Sequence, residues 1–76
     1  MLEENLHRIH TTDLGAVRIR KNLSLETDDI VLWCRNMITD HNSHIIKEGK
    51  NWYITNGKCR ITVNSHSYTI ITAHSI

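Results

Sequence analysis

The sequence predicts an α+β domain in which about three N-terminal helices pack on one face of a four-stranded antiparallel meander sheet. Two observations carry this reading. Apolar residues recur at helical spacing as far as Ile38, whereas from His44 onward they alternate with polar ones. The segments after His44 are joined by short connections rich in turn formers, which only antiparallel neighbours can use. A chain of 76 residues is a single domain, 1–76, with a thin core. Burying one more apolar face would stabilise such a core by roughly 25 cal/mol per Å², so a homodimer is compatible with this size.

Along the chain, "MLEENLHRI" places Leu2, Leu6 and Ile9 at helical spacing, with Glu3 and Glu4 in the first turn. This predicts a short amphipathic helix. In "HTTDLG", Thr11 or Thr12 is suited to cap a second helix from about Asp13 to Asn22, with Leu14, Val17 and Ile19 or Leu23 inward. The third helix is the clearest, because Ile30, Val31, Cys34, Met37 and Ile38 form one stripe in "SLETDDIVLWCRNMIT". Thr27 is its expected cap, and Asp28 and Asp29 complement its dipole.

Four strands are expected at approximately 44–48, 51–55, 58–64 and 67–73. Asn56-Gly57 between apolar runs marks a hairpin with a type I′ turn, whose two central residues both need positive φ. Alternation puts Cys59, Ile61 and Val63 on the helix-facing side of the third strand, and Lys58, Arg60, Thr62 and Asn64 on the other. In the last strand Tyr68, Ile70, Thr72 and His74 share one parity, and Ser67, Thr69, Ile71 and Ala73 the other. Neither set is wholly polar, so pattern alone leaves the buried one open.

Composition excludes several function classes. A formal net charge of +1 argues against binding dominated by attraction to nucleic acid or acidic membranes. Local basic groups remain in Arg18, Arg20, Lys21, Lys47, Lys50, Lys58 and Arg60. Two cysteines, Cys34 and Cys59, without a secretory leader or a membrane-length apolar run, point to a cytoplasmic protein with free thiols. Single glycines at Gly15, Gly49 and Gly57 cannot form a phosphate-cradling loop, and Cys34 lies on an apolar helical stripe unsuited to a nucleophile. No cofactor is implied.

Six histidines raise the question of a metal. His7 with His10, and His41 with His44, are spaced as pairs, but neither pair has the third and fourth ligands a zinc site requires. No metal is expected. The polar sheet face is richer in chemistry. Metal-independent RNA cleavage needs an acid, a base and cations around a phosphate, roles open to His74, Tyr68 and Arg60. Lys58 would add charge, and Trp52 or Tyr53 could stack on a base or meet a protein partner. Adjacent in sequence, those two aromatics face opposite sides of their strand, so one of them is core. His66 falls in the turn before the last strand, roughly 26 Å from His74 if the chain is extended at about 3.3 Å per residue. The two histidines cannot act on one phosphate.

The stretches "HTTDLGAVRIRKNLSLETDDIVLWC", "GKNWYI" and "ITVNSHSYTIITAH" resemble a small bacterial family known as domain of unknown function 3781, over nearly the whole chain. That resemblance implies no activity. Helices followed by a meander ending in "TIITAH" are also similar in architecture to the barnase, EndoU, colicin and RelE group of small ribonuclease toxins. This second resemblance implies basic, His and Tyr residues on the sheet, although such toxins are strongly basic and this chain is nearly neutral. Two functions follow: a non-catalytic module binding a protein or RNA, and a ribonuclease-like toxin domain.

Overall fold

The structure, a computed structural model, describes residues 2–76. In chain order it comprises a 3₁₀ helical segment (Leu2–Arg8), α1 (Asp13–Leu23), α2 (Ile30–Thr39), β1 (His44–Glu48), β2 (Asn51–Asn56), β3 (Cys59–Asn64) and β4 (Ile70–Ser75). The strands form one antiparallel sheet ordered β1-β2-β3-β4. The α+β class, the N-terminal helices and the meander agree with the sequence expectation.

Each helical segment departs from that expectation in an instructive way. The first is a 3₁₀ segment kinked at Asn5 (φ −123°, ψ 28°) rather than an α-helix. So short a piece has little helical cooperativity of its own. Burial of Leu2 and Ile9 holds it, together with Arg35 of α2, whose Nε donates to the Leu6 carbonyl at 2.9 Å.

Thr12 caps α1 by accepting from the Gly15 N–H at 3.0 Å. Leu14 and Val17, expected inward, are 75% and 57% exposed. The helix carries a second stripe at Ala16, Ile19 and Leu23, and this one joins the core. Gly15 marks the tight point, because a Cβ there would collide with the Thr11 hydroxyl. In α2 the cap is Asp29, which accepts from the Leu32 N–H at 2.9 Å, and not Thr27. Thr27 accepts instead from the Asp29 N–H, which orders the turn leading into the helix.

The β1–β2 and β2–β3 hairpins are each closed by a two-residue Gly-Lys turn. The flanking pairs are Glu48 with Asn51 and Asn56 with Cys59, so Asn56 is a strand residue and the turn is Gly57-Lys58. Gly57 has φ +59° and Lys58 is not left-handed. This is the pattern of a type II′ turn, which needs positive φ only at its first central residue. The expected type I′ turn at Asn56-Gly57 is thus displaced by one position.

Register assigns the faces. Ile45, Ile54, Ile61 and Ala73 lie opposite one another across the four strands, and Trp52, Val63 and Ile70 form a neighbouring row. Every sheet residue in the apolar core belongs to this inner face. β4 begins at Ile70 rather than Ser67, and a bulge opposite Thr62 and Val63 leaves Ile71 without a partner. One extra residue reverses the parity of everything after it. Ile70 and Ala73 are therefore both buried although they belong to different parities, and Ile71 is 46% exposed.

The margins of the sheet differ. Beside β4, the His10 N–H donates to the Tyr68 carbonyl at 3.2 Å and the Ile70 N–H donates to the His10 carbonyl at 2.8 Å. Further along, the Asn22 side chain of α1 donates to the Ala73 carbonyl at 3.3 Å. Beside β1 no further strand pairs among the described residues. A two-residue turn makes its flanking pair, Glu48 and Asn51, exchange main-chain bonds, so His44, Ile46 and Glu48 bond to β2. The main-chain groups of Ile45 and Lys47 point outward, and among the described residues no other segment bonds to them.

Candidate functional site

Two rows of side chains cross the outer face of the sheet. One is His44, Thr55, Arg60 and His74, and the other is Ile46, Tyr53, Thr62 and Thr72, each residue opposite the next. Ile46, Glu48, Tyr53, Thr55 and Arg60 line a shallow concavity of about 240 Å³. Arg60 is steadied by donating from Nε to Thr55 Oγ1 at 3.3 Å, and Asn51 donates to the Tyr53 hydroxyl at 3.4 Å. Ile46 is 61% exposed at the mouth of this concavity. The site therefore combines an aliphatic patch, a half-buried phenol, one cation and one carboxylate.

Of the residues singled out from sequence, Tyr53, Arg60 and His74 share this face, and Arg60 is directly opposite His74. Tyr68 is elsewhere. It belongs to the buried core, its ring centroid 5.3 Å from that of Trp52 and 4.1 Å below the Arg8 guanidinium carbon. Its backbone is left-handed at φ +61°, a conformation that costs a non-glycine residue free energy and here directs the ring inward. Trp52 faces the core beside it, and Lys58 is exposed in the β2–β3 turn. His66 also lies in a turn, its N–H bonded to the Asn64 side chain at 2.9 Å. The outer face thus sets the His74 imidazole opposite the Arg60 guanidinium, with His44 at the far end of the same row and the Tyr68 phenol in the core.

A second concavity, about 300 Å³, opens between α2 and the β2–β3 hairpin and is lined by Trp33, Asn36, Met37, Asp40, Asn56 and Cys59. Sequence reasoning missed this grouping. Trp33 and Met37 are one turn apart on α2, a readable spacing, but Asn56 reaches the cavity only because it is a strand residue. Its amide donates to Ser43 Oγ at 3.0 Å, and Ser43 in turn donates to the Met37 carbonyl at 2.5 Å. Both cysteines are free thiols. Burial pushes the Cys34 thiol up to about 12, which leaves it protonated at neutral pH and unfit as a nucleophile.

Of the paired histidines, His10 serves the fold. His10 lies with Nδ1 at 2.8 Å from the Arg8 carbonyl, so Nδ1 is the protonated nitrogen, and Nε2 at 3.1 Å accepts from Thr69 Oγ1 in the neutral ring. Among the described residues, no group of three or more His, Cys, Asp and Glu side chains converges as a metal would require. No helix among them is long and apolar enough to cross a membrane.

Fold and site together define a small α+β domain of N-terminal helices and a four-stranded antiparallel sheet. The family model for a protein of unknown function, DUF3781, matches residues 3–74, and the chain belongs to that family. No curated protein and no solved structure matches it.

Proposed function

We propose that the protein is a non-catalytic binding module whose outer sheet face meets a protein partner. The concavity lined by Ile46, Tyr53 and Arg60 carries this reading. Its mixture of aliphatic, aromatic and oppositely charged groups suits a polypeptide better than a phosphate backbone, which would disfavour Glu48. In this reading the helices occupy the face of Ile54 and Ile61, leaving the opposite one for the partner. The module acts in the cytoplasm, where Cys34 and Cys59 stay reduced.

Affinity capture with the wild-type protein, Tyr53→Ala and Arg60→Glu tests this. One reproducible partner retained by the wild type and lost by both folded variants is the expected result. Capture unchanged by either substitution would refute it.

RNA cleavage is the second reading, favoured by the register that sets Arg60 opposite His74 across β3 and β4. It predicts that purified protein cuts RNA in chelator and that His74→Ala does not. The inward position of Tyr68 leaves that chemistry without its phenol.

A further inference from the structure

The geometry points to a second copy of this chain as the occupant of the open β1 edge, joined antiparallel about a twofold axis at Ile46. Three features converge on one register. The outward main-chain groups belong to Ile45 and Lys47. Setting Ile45 against the partner's Lys47, and Lys47 against the partner's Ile45, satisfies these groups with roughly four main-chain hydrogen bonds. That register places Ile46 on the partner's Ile46 at the axis.

It also places His44 opposite the partner's Glu48, twice by symmetry. Shifting the partner two residues in one direction sets Lys47 against itself, and shifting it two in the other pairs Ile45 with itself and leaves Glu48 without its imidazole neighbour. β1 is therefore self-complementary in one register only. On the outer face the pairing covers Ile46, which is 61% exposed in the single chain. On the inner face the Lys47 stem lies along the partner's Ile45.

The consequence is one continuous antiparallel sheet running through both copies. Ile46 and Glu48 belong to the outer-face concavity. Pairing therefore brings the two concavities together across the axis into a symmetric groove. The inference does not rest on the protein-partner reading, since pairing is measurable without any other molecule.

Sedimentation equilibrium on the intact chain tests it, at concentrations up to about 1 mM because a single short strand buries little area. The wild type is expected to dimerise reversibly. Lys47→Pro removes an outward N–H that β2 does not use, so the variant should keep its circular dichroism and be monomeric. His44→Glu alone sets two carboxylates face to face, and Glu48→Lys alone sets a cation against His44. Each should weaken dimerisation about tenfold, and the double variant should recover it. A wild type that stays monomeric, a dimer indifferent to Lys47→Pro, or a double variant no tighter than the singles would each overturn the inference.

Discussion

The two margins of the sheet obey the same hydrogen-bond rules and end differently. At β4, His10, Thr11 and Asn22 reach the outward main chain of Ile70 and Ala73, so the edge is closed by residues that precede the sheet in sequence. At β1, Ile45 and Lys47 have no such neighbours among the described residues. An unpaired edge is a standing invitation to another strand, and natural proteins leave one open where charge or a partner controls it. The difference teaches where this small domain places its stability and where it keeps surface for association.

Breaking the closed edge should be costly. Tyr68→Ala, which empties the place between Arg8 and Trp52 just before β4, is expected to lower the unfolding free energy by about 3 kcal/mol in urea titration. Ile46→Ala on the open edge should change it by no more than about 0.5 kcal/mol. Comparable losses at the two positions would erase the distinction.

Asn22→Ala probes the closure by a single hydrogen bond, the one donated to the Ala73 carbonyl, and should cost about 1 kcal/mol. The same measurement on Lys47→Pro should show a change within about 0.5 kcal/mol in dilute solution. A large loss there would mean that the Lys47 N–H bonds to β2.

A smaller effect belongs to the interior behind both edges. The Cys34 thiol has its folded pKa raised from 9.0 to about 12, so the folded state holds its proton more tightly than the unfolded chain. That contribution to stability is complete below about pH 9 and declines as the pH rises toward 12. At neutral pH a thiol reagent should modify Cys59, which is half-buried, well before Cys34, which is fully buried. Equal labelling rates by mass spectrometry would contradict this placement.

Much of this architecture is legible in the residues. The change of period at His44 marks the helix-to-sheet boundary, and alternation in β3 correctly sends Ile61 and Val63 inward. Other features are not legible because they depend on contacts between distant segments. Two apolar stripes overlap on α1, and only packing against β4 and the core selects Ala16, Ile19 and Leu23 over Leu14 and Val17. The bulge at Ile71 has no signature in "YTIITAH", yet it decides which parity is buried. It brings Thr72 and His74 to the face of Arg60. Of the candidate site residues, Tyr53, Arg60 and His74 share a face, whereas Tyr68, held at positive φ with main-chain bonds to Asn64 and His10, turns its ring into the core.

Amide hydrogen exchange compared at low and high protein concentration addresses the contrast between the edges most directly. The Ile70 amide, bonded to the His10 carbonyl, should be protected at both concentrations. The amides of Ile45 and Lys47 should exchange rapidly in dilute solution and become protected together as the concentration rises. Protection at Ile45 and Lys47 that is independent of concentration, or an Ile70 amide as fast as theirs, would contradict an open β1 and a closed β4.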